Sequence, residues 1–194
     1  GNDVLFGGLG ADAISGGDGD DIVQFLGGND RLDGGNGTDR LEAAGNGAVL
    51  YSHAIDPLTI GGSARYATGF EAISGNGFAD VRIRGSDLYD LMDFTGIAMD
   101  GIALIETLAG DDVVTGSSAA DSIDGGDGND QLQGMAGADS LFGGAGEDQL
   151  NGGEGIDQFF GGCQLFQVRS GRTDGISPVS PPTPPYVRFS AYGG

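Results

Sequence analysis

The sequence has no lysine, no tryptophan, one cysteine and one histidine. Without lysine it cannot carry a P-loop, a Schiff-base lysine or the protein-kinase lysine, and a single cysteine cannot form an internal disulfide. Its 8 basic residues are all arginines and face 29 acidic residues, so the net charge is −21. Because so acidic a chain repels phosphate groups, we expect neither nucleic acid nor an anionic membrane as a partner.

Long apolar runs are also missing. No run approaches the ~20 residues that a membrane-spanning helix needs, so we expect no membrane insertion by this segment. Proline is scarce, with 6 residues, whereas glycine accounts for 41 of 194. The glycines do not recur at every third position, which excludes a collagen-like chain. High charge and abundant glycine would indicate disorder unless their placement follows a repeat.

Glycine and aspartate recur with a period of nine residues. The clearest unit, residues 125–133, reads Gly-Gly-Asp-Gly-Asn-Asp-Gln-Leu-Gln. With its positions numbered one to nine, the unit has glycine at one, two and four, aspartate at six and an apolar residue at eight. Position six is aspartate in all eleven units, namely Asp3, Asp12, Asp21, Asp30, Asp39, Asp112, Asp121, Asp130, Asp139, Asp148 and Asp157.

Each position of the unit has a physical reason. A six-residue turn followed by a three-residue strand buries one side chain, at position eight. In coils stacked ~4.8 Å apart, the position-six carboxylates would repel one another, so we expect a cation between them. No unit contains His or Cys, and carboxylate and carbonyl oxygens favour Ca²⁺ or Mg²⁺ over Zn²⁺ or Cu²⁺. A cage of main-chain carbonyls favours Ca²⁺ over Mg²⁺.

The unit resembles the nonapeptide of the RTX (haemolysin-type calcium-binding) family, over residues 1–42 and 107–160. The resemblance implies an all-β fold, a right-handed parallel β-roll or β-helix with two nonapeptides in each coil of eighteen residues. It also implies Ca²⁺ ions between the turns of successive coils, about seven in total. The implied pairs are Asp3 with Asp21, Asp12 with Asp30, Asp21 with Asp39, Asp112 with Asp130, Asp121 with Asp139, Asp130 with Asp148, and Asp139 with Asp157.

Turn carbonyls complete the calcium shells in this resemblance. The residues concerned are Gly16, Asp18, Gly34, Asn36, Gly125, Asp127, Gly134, Gly143 and Gly152. Three turns depart from the pattern, because Phe25-Leu26 and Thr107-Leu108 replace leading glycines and Met135 replaces the second glycine of its unit.

The repeats divide the chain into four expected parts. Residues 1–42 and 107–162 are β-roll blocks. Residues 43–106 keep strand-like pieces without the motif, and we interpret them as an irregular β-helical connecting segment, with an independent domain as the alternative. Residues 163–194 hold five of the six prolines and carry a net charge of +2, so we expect a disordered tail.

We expect no enzymatic activity from this segment, because it has neither a Gly-x-Ser-x-Gly nor a His-Glu-x-x-His motif. His53 and Cys163 are each the sole residue of their kind, and we expect neither to be catalytic. The sequence begins within a repeat, so we expect a fragment of a longer protein.

The resemblance implies a bacterial protein that is secreted or associated with the cell surface, uses type I secretion machinery and folds on binding Ca²⁺. The roll could belong to a toxin, follow a secreted protease, lipase or epimerase, or stiffen the stalk of an adhesin. Binding of polysaccharide along the roll is a further alternative.

Overall fold

The computed structural model describes residues 1–28, 30–51, 58–59, 67–68, 70–161, 167–169 and 188–189. None of the described residues forms a helix long and apolar enough to cross a bilayer. His53, Cys163 and the proline-rich stretch at 181–185 lie outside the described residues. The strands are β1 (Val4–Gly8), β2 (Ala13–Asp18), β3 (Ile22–Phe25), β4 (Arg31–Asn36), β5 (Arg40–Ala43), β6 (Val49–Tyr51), β7 (Leu58–Thr59), β8 (Ala67–Thr68), β9 (Ala72–Ser74), β10 (Arg82–Arg84), β11 (Leu91–Asp93), β12 (Ala98–Asp100), β13 (Leu104–Glu106), β14 (Val113–Thr115), β15 (Ser122–Asp124), β16 (Gln131–Gln133), β17 (Ser140–Gly144), β18 (Gln149–Asn151), β19 (Gln158–Gly161), β20 (Gln167–Arg169) and β21 (Arg188–Phe189).

Within the first block, β1 pairs with β3, β3 with β5 and β2 with β4, all in parallel. Val4 of β1 is aligned with Ile22 of β3, which is aligned with Arg40 of β5. On the other face, Ala13 of β2 is aligned with Arg31 of β4. Each step is eighteen residues, so one coil contains two nonapeptides and two strands, which confirms the predicted parallel β-roll.

The second block repeats this arrangement with shorter strands. One face consists of β13, β15, β17 and β19, and the other of β14, β16, β18 and β20. The eighteen-residue step holds from Ile105 to Ile123 and again from Gln149 to Gln167. The regular spacing therefore continues through β20. This strand and β21 are the parts of residues 163–194 that the structure describes.

Between the blocks, each described coil has three strands instead of two. The strands β9 and β12 extend the sheet of β5, whereas β10 and β11 join the two sheets of the second block. The steps lengthen to 22 residues from Arg82 to Leu104 and 26 residues from Ala72 to Ala98. We call the described residues 70–106 the three-sided segment. Its strands pair with strands of both blocks, so the coils are continuous across it.

A single cluster of apolar side chains, contributed by the strands of both faces, fills the interior. The position-eight residues from Val23 to Phe159 are buried, whereas Leu5 and Ile14 in the first coil are partly buried. The predicted inward position is thus confirmed. The three-sided segment encloses larger side chains, including Phe70, Met92 and Phe94, because three strands surround a wider interior than two.

Candidate metal centre

The position-six aspartates form columns at the turns, each aspartate lying just before a strand. In every predicted pair, the main-chain N–H of the first aspartate donates a hydrogen bond to Oδ1 of the second. Sequence reasoning did not anticipate this bond, which fixes each carboxylate against the preceding coil. The N···Oδ1 distances are 2.7 Å for Asp3–Asp21, 2.9 Å for Asp12–Asp30, 2.7 Å for Asp21–Asp39, 2.9 Å for Asp112–Asp130, 2.9 Å for Asp121–Asp139, 3.1 Å for Asp130–Asp148 and 3.2 Å for Asp139–Asp157.

The second oxygen of most of these carboxylates lacks a hydrogen bond to any residue that the structure describes. Among the described residues, seven Oδ2 atoms are buried without a hydrogen bond. A buried carboxylate oxygen without a compensating partner is strongly unfavourable, so these atoms require something the chain itself does not supply. They belong to Asp21, Asp39, Asp112, Asp130, Asp139, Asp148 and Asp157.

Glycine at position one leaves space beside five of these oxygens, those of Asp21, Asp130, Asp139, Asp148 and Asp157. A Cβ atom on Gly134 would overlap Asp139 Oδ2 and lie 2.8 Å from the carbonyl oxygen of Gly152, in the next coil. A Cβ on Gly16 would overlap Asp21 Oδ2 and the carbonyl oxygen of Gly34 in the same way. A carboxylate oxygen and a carbonyl oxygen from successive coils therefore line the same small space.

This donor set fits a hard cation. Calcium accepts six to eight oxygen ligands in flexible geometry, and the polar atoms found nearest to position one are carboxylate and carbonyl oxygens. Among the described residues, no three His, Cys, Asp or Glu side chains cluster in a way that could hold a metal ion. Each site would thus rely on one or two carboxylates, with carbonyl oxygens supplying the remaining protein ligands.

The predicted carbonyl ligands at position one differ in their surroundings. Those of Gly34 and Gly152 lie near the carboxylate of the preceding coil, as described above. The carbonyl of Gly134 lies 2.8 Å from where a Cβ of Gly116 would be, close to Asp121 Oδ2. Gly143 lies directly against the carboxylate of its own unit, Asp148.

Gly125 differs from the other position-one glycines. Its carbonyl accepts a hydrogen bond of 2.7 Å from the buried Thr107 hydroxyl. Thr107 occupies position one of the Asp112 turn, so a hydroxyl lies there where the other turns have free space. The presence of threonine where the motif has glycine therefore changes the surroundings of the Gly125 carbonyl.

The predicted carbonyl ligands at position three take part in the hydrogen-bond ladder between coils. The Asn36 carbonyl accepts from Gly19 N–H at 2.9 Å, and the Asp127 carbonyl accepts from Gly110 N–H at 2.8 Å. The Asp18 carbonyl accepts from the amino terminus. A carbonyl oxygen has a second lone pair, so these bonds leave each oxygen one further position for a ligand.

Burial makes the carboxyl groups of Asp130 and Asp139 hard to ionise without a cation. Desolvation raises the pKa of Asp130 to about 7; the Asp112 N–H opposes this rise, and the neighbouring carboxylates of Asp112, Asp148 and Asp111 add to it. Desolvation likewise raises the pKa of Asp139 to about 6. A divalent cation would favour the charged forms.

Sequence reasoning missed two members of the columns. The Asp39 N–H donates to Glu71 Oε2 at 2.7 Å, so Glu71 continues the column beyond the first block. The Asp90 N–H donates to Asp112 Oδ1 at 2.7 Å, which places Asp90 ahead of the second block. Asp90 could have been found from Gly85, because glycine at position one and aspartate at position six are correctly spaced there.

A parallel β-solenoid with columns of buried carboxylates at its turns defines a repeat protein built to bind hard cations between its coils. The family model of the RTX calcium-binding nonapeptide repeat matches the chain in four copies, at residues 1–24, 26–46, 97–132 and 125–159. These copies cover more than half of the chain, which therefore belongs to this family of calcium-binding repeats. No curated protein matches the chain.

Proposed function

We propose that this chain is a calcium-responsive module of a secreted bacterial protein, which folds into its β-roll when it binds calcium. The observation that carries the proposal is the set of seven buried Oδ2 atoms that lack a hydrogen bond within the described residues. In the absence of calcium these atoms oppose burial of the turns. Bound calcium supplies the positive charge that removes this opposition.

The protein's own groups prepare the sites. The N–H of one aspartate orients the next carboxylate through Oδ1, and position-one glycine leaves room beside Oδ2. We propose the position-six aspartates as ligands, except Asp121, whose Oδ2 accepts hydrogen bonds from Ser117. The nine turn carbonyls named above complete the proposed ligand set. Seven divalent ions would reduce the net charge from −21 to −7, which weakens the repulsion that opposes the compact state.

Circular dichroism tests this proposal. We expect the β-sheet signal to be weak in EDTA and to rise as calcium is added to millimolar concentration, because metal binding and folding are coupled. Magnesium is the control and should be less effective, since it demands a near-octahedral shell and loses water reluctantly. A complete β-sheet signal in EDTA would contradict calcium-dependent folding.

The setting of the roll forms the second part of the proposal. An acidic chain that stays expanded at low calcium remains competent for export, and we propose type I secretion followed by folding outside the cell. The roll would then stabilise an attached toxin or enzyme domain or stiffen an adhesin stalk. Neighbouring sequence in the full-length protein would distinguish these roles: a His-Glu-x-x-His or Gly-x-Ser-x-Gly motif indicates an enzyme, and tandem immunoglobulin-like repeats indicate an adhesin.

A further inference from the structure

The carboxylates of the second block, together with Asp90 ahead of it, form two columns, and the first member of each column differs from the rest. The first column contains Asp90, Asp112, Asp130 and Asp148, and the second contains Asp121, Asp139 and Asp157. The Oδ2 atoms of the later members are among those without a hydrogen bond. Asp90 and Asp121 are the first members of their columns. Their Oδ2 atoms instead accept hydrogen bonds from the protein itself.

In the second column, Ser117 supplies these bonds. Its N–H donates to Asp121 Oδ2 at 2.7 Å, and its hydroxyl lies 3.1 Å from Oδ2 and 3.2 Å from Oδ1. Both residues are buried. The same hydroxyl accepts from the N–H of Ala119 at 3.0 Å, so the serine closes its own turn.

In the first column, Ser86 occupies the equivalent place. Its N–H donates to Asp90 Oδ2 at 2.7 Å, and its hydroxyl lies 3.1 Å from the same oxygen. The hydroxyl also accepts from the N–H of Leu88 at 3.2 Å. Two turns of different sequence thus share the same pair of hydrogen bonds from a position-two serine to the Oδ2 atom of the position-six aspartate. This repetition argues against a coincidental contact.

The backbone of these turns also differs from that of the calcium motif. Both serines stand at position two, where the following turns adopt the left-handed conformation, with φ of 76° at Leu108 and 79° at Met135. Neither serine has a positive φ. Position four is Leu88 or Ala119 instead of glycine, consistent with a turn that does not need the left-handed region there.

We propose that Ser86 and Ser117 close the first turn of each column without a calcium ion, so that calcium binding in the second block begins at the following turn. This inference rests on the proposed calcium-binding function. A calcium ion at Asp90 or Asp121 would have to displace both the N–H and the hydroxyl from Oδ2. These two hydrogen-bond donors compensate for burial of the carboxylate oxygen, as the cation does in the other turns.

The serine-closed turns also prepare the next sites. The N–H of Asp90 holds Asp112 Oδ1 at 2.7 Å, and the N–H of Asp121 holds Asp139 Oδ1 at 2.9 Å. A first turn that forms without metal therefore orients the first carboxylate that needs metal. Each column then has an ordered turn against which its first calcium site can assemble.

Calcium stoichiometry, counted by native mass spectrometry and by calorimetric titration, tests the proposal with two matched variants. Asp121→Asn keeps an oxygen that accepts from Ser117, so we expect the wild-type number of calcium ions. Asp148→Asn removes charge from a carboxylate whose Oδ2 has no partner, so we expect at least one ion fewer. An equal loss of calcium in both variants would overturn the proposal.

A gain-of-site variant gives an independent test. Ser117→Gly combined with Ala119→Gly restores the complete Gly-Gly-x-Gly-x-Asp motif around Asp121, and we expect one additional calcium ion. Ser118→Gly, at an exposed position of the same turn, is the control and should leave the number unchanged. An unchanged number in the double variant would count against the serine-closed turn. A wild-type chain that binds no calcium would instead overturn the proposed function.

Discussion

At the scale of single residues, the two oxygens of one carboxylate have separate tasks. Oδ1 of Asp139 accepts the N–H of Asp121, whereas its Oδ2 is buried without a hydrogen bond. The main-chain hydrogen bond to Oδ1 therefore orients the carboxylate, and Oδ2 remains available to bind a cation. Glycine at position one, as at Gly134, keeps open the space beside Oδ2 that a side chain would fill.

Gly134→Ala tests this role of glycine. Its φ is not positive, so alanine is allowed by the backbone, but the new methyl group would overlap Asp139 Oδ2. Overpacking of this kind costs about 1–3 kcal/mol, and we expect calcium affinity to fall about tenfold in calorimetric titration. Gly27→Ala is the control, because its Cβ would meet only Leu9 at an ordinary 3.8 Å. Equal effects of the two substitutions would argue against a cation beside Gly134.

Protons should partly replace calcium in the carboxylate columns. Burial raises the pKa of Asp130 from 3.8 to about 7, so the folded chain binds a proton more tightly than the unfolded chain does. This contribution to stability is present below about pH 4 and is lost as the pH rises through about 7. In EDTA, the β-sheet signal in circular dichroism should therefore increase as the pH falls from 8 to 5. Asp130→Asn should flatten this profile, and a signal that decreases on acidification would contradict the mechanism.

At the scale of strands and turns, the nonapeptide predicted most of what the structure contains. Its period set the eighteen-residue coil, and its single apolar position identified the inward side chains, of which Leu132 is typical. The prediction succeeded because every unit has the same local requirements, namely that one apolar side chain is buried and one carboxylate is positioned at the turn. Strands β10, β11 and β13 lie within residues 43–106, where the sequence keeps strand-like pieces without the motif.

Leu132→Ala measures how much one such inward position contributes. Leu132 is buried in the ladder between Val114 and Leu150, and truncation of a buried leucine costs about 2–5 kcal/mol. We expect a loss of that size in urea denaturation of the calcium-loaded protein. Gln131→Ala, at the exposed neighbouring position, should change stability by less than about 0.5 kcal/mol. A similar loss in both variants would show that the ladder is not the source of stability.

The elements that sequence reasoning missed lack the repeated motif. Glu71 continues a column of aspartates across a step of 32 residues, which no fixed period indicates. The serine-closed turns depend on hydrogen bonds from position two, where the motif has glycine. The three-sided coils follow from longer steps between paired strands, and these steps become visible only when the pairing is known.

At the scale of the whole molecule, the buried carboxylate oxygens that lack a hydrogen bond are unevenly distributed. The seven unpartnered Oδ2 atoms lie at residues 21–39 and 112–157, and none belongs to the three-sided segment. That segment instead buries large apolar side chains and carries an ion pair between Arg84 and Glu106 on its outer face, with an N···O distance of 2.7 Å. Its stability therefore rests on apolar burial more than on metal.

Hydrogen exchange measured in EDTA should reveal this division. We expect amides in β9 to β13 to exchange at least about tenfold more slowly than those in β15 to β19, because local stability differences appear directly as protection. Calcium should slow exchange in both regions and remove most of the contrast. Equal exchange of the two regions in EDTA would contradict a metal-independent central segment.

The constant eighteen-residue step in the second block also limits how the chain can change in length. Removal or duplication of one whole coil leaves every carboxylate facing the same neighbours and alters the axial length by about 4.8 Å. Between these aspartates, loss of a number of residues that is not a multiple of eighteen would shift Asp130 or Asp148 away from the N–H group that orients it. Evolution and protein engineering can therefore adjust the reach of this block in whole coils, while its binding chemistry stays unchanged.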